Sequence, residues 1–498
     1  MYPSKLKNYI SDTGSTWYKP NKYEEKRFYT AYKRGYLVLE DGFYTLPEIK
    51  NEERLIAIYA AVKMHSSSTQ YPADLINLFI KLFESEENLK LDAVQREAVH
   101  LAINSPIFIL TGGPGTGKTF TLKCIYFCIR HILQTDDVLF TAPTGNAARR
   151  ITASVGVAAY TVAKALGLKN EDDTPNKLTN NVVIVDETSM LDTKTCKALF
   201  ESTEQSRLIF VGDVDQLPSV NYGSILRDLI DAGLPNIKLE KTFRQASESG
   251  LFANIEQIKQ GLHMGFIERD DFSVIKVPGT EAAKESMVNE YLSAVKAYGL
   301  DQVICLTPFR KKGDACAIQL NRILQDKVNP KSKGQNFVKY RVHEIEDDFE
   351  YDVELREGDP VLQLVNEDKV ANGDVGVIRK IDVTAQTVTV DFTDVTIKYY
   401  KEQLGQLTLA YAMTIHKSQG SEYACVITSA IETDRQMLSR NTIYTAVTRG
   451  KQKCVMVTQG NEAQRACRRE LNYERITRLS QEINKQQIRL NLISKLCI

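Results

Sequence analysis

Ile107-Phe108-Ile109-Leu110-Thr111-Gly112-Gly113-Pro114-Gly115-Thr116-Gly117-Lys118-Thr119 is the stretch on which the reading of this chain turns. Its first five residues form a short apolar run closed by glycine, the pattern of a strand buried on both faces. Phe120 to Ile132 carries a helical rhythm, so the glycines stand between a strand and a helix N-terminus. That is the setting in which G-x-x-x-x-G-K-[ST] binds phosphate. Gly112, Gly113, Gly115 and Gly117, with Pro114 and Thr116 between them, let the backbone curl until its N–H groups face a phosphate, and the helix start adds positive potential. Lys118 is expected to reach the β- and γ-phosphates of a nucleoside triphosphate and Thr119 to ligate magnesium, so the loop by itself marks an ATPase or a GTPase that works with Mg2+.

The chemistry continues on the strands that follow. Val182-Val183-Ile184-Val185 ends in Asp186-Glu187, two carboxylates about seventy residues after the glycine loop. Asp186 is expected to bind the metal, and Glu187 to polarise the attacking water as general base. Leu208 to Val211 is another apolar run, and Gln216 in the polar turn after it is the expected sensor of the γ-phosphate. Hydrolysis also needs positive charge on the transition state, which suits arginine because its planar fork stays charged. Arg244 and Arg449 are the candidates, and if both reach the nucleotide it lies in a cleft between two domains that opens and closes with hydrolysis.

With 498 residues the chain is too long for one small fold. Its 43% hydrophobic and 25% charged residues exclude a disordered or fibrous class. Lys plus Arg and Asp plus Glu number 63 each, so any surface for a polyanion has to be local. The nine cysteines lack paired C-x-x-C spacing and read as reduced, buried thiols. No run approaches the ~20 apolar residues of a membrane span and none follows Met1 as a signal peptide, so a soluble, cytoplasmic protein of a bacterial cell or phage-infected host is expected.

Short apolar runs alternating with amphipathic ones, Ile107 to Leu110, Val138 to Thr141, Val182 to Val185 and Leu208 to Val211, predict parallel strands with helical crossovers. A second set comprises Val303 to Thr307, Ala424 to Thr428 and Cys454 to Thr458. Between 331 and 406 the period changes to two, as in Thr387-Val388-Thr389-Val390-Asp391-Phe392, and a small antiparallel barrel inserted in the second α/β domain is expected. The division expected is an accessory domain over 1–90, a first α/β domain over 91–240 with a short hairpin at 167–181, a second over 241–330 and 407–470 interrupted by a barrel over 331–406, and a terminal helix over 471–498. That helix is expected to bury Leu479, Ile483, Ile488 and Leu492 on one face.

In this order the motifs resemble those of the superfamily 1 helicases, and within them the RecD/Dda-like group that moves 5′ to 3′ on single-stranded DNA. The likeness runs from about Leu91 to Gln459. Leu91 to Val99 is similar to the family's adenine-reading segment, which implies that Gln95 hydrogen-bonds the base. Ala142 to Ala148, Tyr160-Thr161-Val162, Phe243-Arg244-Gln245, Leu306 to Lys311, Asn372-Gly373-Asp374 and Met413 to Glu422 follow as the family has them, and Arg449 falls on its final arginine finger. The resemblance implies two tandem RecA-like P-loop domains with an SH3-like barrel in the second. It further implies that Gly420 and Glu422 lie at the nucleotide and that Pro143, Thr144, Thr161, Pro308, Arg310, Asn372, Thr414 and His416 touch the strand, chiefly its backbone. Two departures stand out. Ala163 occupies the place of the family's histidine, and 167–181 carries no aromatic residue to stack on a base pair at a fork.

The function expected is an ATP-dependent DNA helicase that acts as a monomer on single strands and duplex junctions, with residues 1–90 as the candidate dock for a replication or recombination protein. Two alternatives share these motifs: an RNA or ribonucleoprotein remodeller of the same superfamily, and an ATP-switched single-strand loader that does not unwind.

Overall fold

The computed structural model describes residues 2–66, 69–168, 173–242, 249–262, 265–344, 349–367, 369–393, 395–469 and 475–496. Two compact units emerge, one made of residues 1–143, 147–244 and 471–498, the other of 144–146 and 245–470.

The first unit opens with helices α1 (Tyr2–Thr13) and α2 (Glu25–Lys33), the hairpin β1 (Val38–Glu40) and β2 (Phe43–Thr45), then α3 (Pro47–His65), α4 (Ala73–Glu87) and α5 (Ala93–Asn104). It continues through β3 (Ile107–Gly112), α6 (Lys118–Ile132), β4 (Val138–Ala142), α7 (Gly145–Val155), β5 (Ala159–Thr161), α8 (Val162–Ala165), β6 (Val182–Val185), α9 (Thr193–Ser202), β7 (Arg207–Gly212), α10 (Ile225–Asp231) and β8 (Asn236–Leu239). The six strands from β3 to β8 form one parallel sheet in the order β5-β4-β6-β7-β3-β8. Because side chains alternate across a strand, the apolar run of β3 feeds two cores. Phe108 and Leu110 pack with α4, α5 and α6, whereas Ile107 and Ile109 pack with α3, α9 and α10.

This alters the expected division at the N-terminus. Ile56, Ala57 and Ala60 of α3 and Ile76, Ile80 and Phe83 of α4 are fully or almost fully buried in the sheet's own two cores. Among the described residues, α1, α2, the β1–β2 hairpin and the start of α3 share a separate apolar cluster, built on Leu6, Phe28, Tyr44 and Ile49, against which Tyr222 also packs.

The second unit runs through α11 (Gly250–Lys259), β9 (Phe272–Val277), α12 (Thr280–Tyr298), β10 (Val303–Thr307), α13 (Ala317–Val328), β11 (Phe337–Glu344) and β12 (Phe349–Arg356). Then follow β13 (Pro360–Gln363), β14 (Val375–Asp382), β15 (Thr387–Phe392), β16 (Thr396–Tyr399), β17 (Leu407–Leu409), β18 (Ala412–Thr414), β19 (Tyr423–Ala430), α14 (Arg440–Val447), β20 (Gly450–Gln459) and α15 (Glu462–Cys467). Strands β18-β10-β19-β20-β9 make a second parallel sheet. Between its members the chain builds an antiparallel ribbon, β11–β12, and a five-stranded antiparallel sheet in the order β16-β15-β14-β13-β17. The change of period seen in the sequence therefore falls on these strands, except that the last of them, β17, lies wholly beyond the expected boundary at residue 406.

The chain returns to the first unit for its last helix, α16 (Leu479–Leu496). Leu479 and Ile483 are buried against α3, but Ile488 and Leu492 are 60% and 56% exposed, contrary to the single apolar face expected. A step of five residues, from 483 to 488, turns the helix by about 140° beyond a full turn, which takes Ile488 off the buried stripe. That stripe instead continues through Gln486, which donates to Glu482 at 2.8 Å. Among the described residues no helix is long and apolar enough to cross a membrane. The eight cysteines described are all buried and unbridged.

Candidate functional site

In the first unit β3 delivers the glycine loop to one edge of the sheet. Gly115 and Gly117 adopt φ of +75° and +83°, values that side chains with a Cβ resist, and the loop then turns into α6 at Lys118. Gly112 has no room for a side chain, since a Cβ there would stand 2.7 Å from the Leu239 carbonyl oxygen and 2.8 Å from Thr116 Oγ1. Thr116 Oγ1 donates to the Gly113 carbonyl at 2.8 Å, tightening the curl. Lys118 Nζ donates to the carbonyls of Gly112 at 2.5 Å and Gly113 at 2.9 Å, so its ammonium is held over the loop by groups that phosphate oxygens can replace. Gln95 reaches the same loop from α5, with Nε2 donating to the Thr116 carbonyl at 3.4 Å. Its Oε1 accepts from Asp92 N at 3.0 Å while Asp92 accepts from Gln95 N at 2.8 Å, a reciprocal cap that fixes the side chain.

The acidic pair arrives at the same edge. Strand β7 lies between β6 and β3, and in the register Val185 stands beside Phe210 while Thr111 stands beside Gly212, so all three strands end together. Asp186 N donates to the Thr141 carbonyl at 2.9 Å, continuing the strand, and then the chain turns sharply at Glu187, whose φ is +51°. Glu187 N donates to Asp186 Oδ1 at 2.8 Å. Asp186 keeps part of its surface open to solvent, yet burial of its carboxyl, reinforced by the neighbouring charge of Glu187, pushes its pKa up to about 6. The charges of Arg150 and Lys118 act in the opposite direction. Gln216, 5% exposed, follows β7 in a turn where Asp213 Oδ1 accepts from Asp215 N at 3.0 Å and the Asp213 carbonyl from Gln216 N at 3.3 Å.

Magnesium fits the donor set. Among the described residues no group of three or more His, Cys, Asp and Glu could hold a metal alone. The Asp186 carboxyl just after β6 and the Thr119 hydroxyl in the first turn of α6 instead suit an ion that completes its shell with water and phosphate oxygens.

Two residues that the sequence reading passed over belong here. Arg150 of α7 brings Nη1 to 3.8 Å from Glu187 Oε1. Arg475, from the segment before α16, donates through Nη2 to the Ser219 carbonyl and through Nη1 to the Gly223 carbonyl, both at 2.8 Å, and so clasps the loop that follows Gln216. Adjacent arginines after Ala148 gave a faint sign of the first; nothing in the sequence marked the second.

The expected strand contacts separate into groups. Pro143 and Thr144 leave β4 next to the end of β5, since Ala142 stands beside Thr161 in the register. Thr161 Oγ1 accepts from Lys164 N at 3.1 Å and caps α8. In the second unit, Pro308 and Arg310 follow β10, while Thr414 and His416 lie at the end of β18 and in the turn after it. Arg310 donates to Tyr351 Oη at 2.5 Å, its guanidinium 5.7 Å from that ring's centroid. Lys417 donates through Nζ to Asn372 Oδ1 at 2.6 Å and through N to Thr414 Oγ1 at 3.3 Å, joining two of the expected contacts. Tyr351 and Lys417 were not among the expected residues.

Arg449, 3% exposed, directs Nε to the Thr445 carbonyl at 3.1 Å and Nη1 to the Ser421 carbonyl at 3.2 Å, within the segment bounded by Gly420 and Glu422. Glu422 pairs with Lys451 at 3.0 Å, and Gly420 takes φ of +79°. Arg244 lies outside the described residues, as do the neighbouring Phe243 and Gln245, and as does part of the 167–181 segment.

Comparison with known proteins places this edge in context. The family described as AAA domain matches residues 90–275, and the UvrD-like helicase C-terminal domain matches residues 409–457. The chain is 32% identical to the ATP-dependent RecD2 DNA helicase of Deinococcus radiodurans over 354 residues, which cover 70% of this chain and 46% of that protein. It is 28% identical to the RecBCD enzyme subunit RecD of Mycobacterium tuberculosis over 419 residues, 74% of this chain and 69% of that one. It thus spans about half the length of the Deinococcus relative. A solved structure of Pif1 helicase superposes with a TM-score of 0.49 at 20% identity, covering 74% of this chain and 92% of that one.

Proposed function

We propose, for a chain homologous to the RecD-like helicases of superfamily 1, that it is an ATP-dependent DNA helicase that moves 5′ to 3′ on single-stranded DNA. The observation that carries this reading is the convergence of the glycine loop, Asp186-Glu187 and Gln216 on one edge of a parallel sheet. In it, Lys118 holds the β- and γ-phosphates and Thr119 and Asp186 hold magnesium, which when bound offsets the phosphate charge. Glu187 takes a proton from the attacking water, Gln216 senses the γ-phosphate and Gln95 reads adenine. Arg449 and Arg244 carry the transition-state charge, with Gly420 and Glu422 beside the nucleotide. Pro143, Thr144, Thr161, Pro308, Arg310, Asn372, Thr414 and His416 line the strand, joined by Tyr351 and Lys417, which share hydrogen bonds with Arg310 and Asn372. Contacts of these kinds address phosphate, sugar and ring faces, so binding is weakly sequence-selective and salt-sensitive.

The five-stranded sheet β13–β17 stands in this reading for the SH3-like insertion. It excludes the complementary strand, because residues 167–181 carry no aromatic side chain to wedge a base pair. The working compartment is the cytoplasm.

Lys118→Ala tests the engine. ATP turnover is expected to fall to background while single-strand binding is largely kept, and turnover at the wild-type rate would remove the glycine loop from the mechanism.

A further inference from the structure

We propose that the outward face of α2 and its flanks is a second binding surface for single-stranded DNA, distinct from the strand contacts of the motor. It rests on the functional reading only for the identity of the ligand. Residues 19–36 hold six Lys and Arg against two Glu, in a chain whose net charge is zero. Both glutamates are engaged by the module itself, Glu24 by Lys5 and by Tyr18 Oη, and Glu25 by Tyr44 Oη at 2.8 Å. Phe28 and Ala31 anchor the helix in the small N-terminal core. What remains outside is basic and aromatic.

Four tyrosines stand in solvent within this short stretch: Tyr23 is 77% exposed, Tyr29 44%, Tyr32 37% and Tyr36 57%. A fold that needed them for packing would have turned the rings inward, as it does with Tyr44. Lysine ammonium groups lie over their faces instead. Lys22 is 5.0 Å from the Tyr23 centroid, and Lys33 is 5.4 Å from Tyr29 and 6.0 Å from Tyr32, whose rings are themselves 5.9 Å apart. Lys26, Tyr29 and Lys33 follow the i, i+3, i+7 rhythm of one helix face. Phosphates would draw the ammonium groups off the rings, and the freed faces would accept bases. Unpaired bases alone offer such faces, which selects a single strand over a duplex and gives the tyrosines a use that a purely ionic partner would not.

The test is photocrosslinking of the full chain to an iodouracil-substituted single strand, with the crosslinked peptides mapped by mass spectrometry. Crosslinks to Tyr29 or Tyr32 are expected beside those of the motor contacts. Crosslinks confined to the loops after β10 and β18 would overturn the proposal and leave the helicase reading standing, whereas none anywhere on the protein would overturn both. A second measurement uses a variant carrying K26E, Y29A, Y32A and K33E. Its affinity for a long oligothymidylate is expected to fall at least about tenfold, with a salt dependence shallower by about two phosphates, while Y29F/Y32F stays close to wild type and DNA-free ATPase is unchanged. Wild-type affinity and salt slope in the fourfold variant would overturn the proposal.

Discussion

Replacing Glu187 by Gln keeps the size and the turn of the side chain but removes the base that the proposed mechanism requires. The expected outcome is ATP binding near the wild-type level with hydrolysis slowed by about 10²- to 10⁴-fold, read in single-turnover experiments. Hydrolysis at the normal rate would reassign that proton transfer. Asp186 makes a prediction about pH. Its carboxyl is raised to about 6 by burial and by Glu187, and magnesium binds the carboxylate form. Apparent magnesium affinity should therefore be nearly flat above about pH 7 and weaken by up to about tenfold per unit below about pH 6. The sign for stability follows from the same shift. An acid raised in the folded state binds more protons than the unfolded chain does. Without metal, the contribution of Asp186 is then most favourable at acid pH and is lost as pH rises through about 6. A magnesium titration of the wild type and Asp186→Asn across this range checks it, and an affinity that does not change with pH would contradict it. At this scale the sequence was most legible, because Lys118, Asp186 and Gln216 each follow a recognisable apolar run. Arg150 was only faintly legible, since its approach to Glu187 joins separate segments of the chain.

Elements carry their own tests. Gly14 takes φ of +69°, and a Cβ there would fall 2.3 Å from Arg475 Cζ. Gly14→Ala is therefore expected to cost about 1–3 kcal/mol and to disturb the grip of Arg475 on the loop after Gln216. Lys63 of α3 donates to the carbonyls of Thr203, Glu204 and Ser206 just past the end of α9, at 2.6, 3.1 and 2.6 Å. Lys63→Met keeps the apolar stem and removes the donors, with an expected loss of about 1–3 kcal/mol in denaturant unfolding. An unchanged midpoint in either variant would refute the corresponding role. Strand positions were readable in advance because parallel strands buried on both faces are unbroken apolar runs. The buried face of α16 was misread because its two central members, Glu482 and Gln486, are polar and satisfy each other at 2.8 Å, so hydropathy alone could not find them.

Across the whole chain, the two ends meet in the first unit. The amides of Thr16 and Trp17 donate to the Ile476 carbonyl at 2.9 and 3.1 Å, and Trp17 Nε1 donates to buried Glu53 at 2.8 Å. Burial raises the Glu53 pKa, and Thr16 and Arg478 supply further donors to it. Truncation after Glu470 removes these contacts together with buried Leu479 and Ile483, each worth about 1.5–3 kcal/mol. The first unit is expected to unfold several degrees earlier by calorimetry, and an unshifted transition would show the terminal segment to be dispensable. This joining of the ends was not legible in the sequence, because it links residues more than four hundred positions apart through backbone groups that carry no signature.

Whether hydrolysis at these strand ends drives movement along a single strand is decided by strand separation on duplexes carrying either a 5′ or a 3′ single-stranded tail, with magnesium and ATP. Release from the 5′-tailed duplex, absent from the 3′-tailed one and abolished by Lys118→Ala, is the predicted result. Release from the 3′ tail alone, release that persists in Lys118→Ala, or no release from either substrate would contradict it.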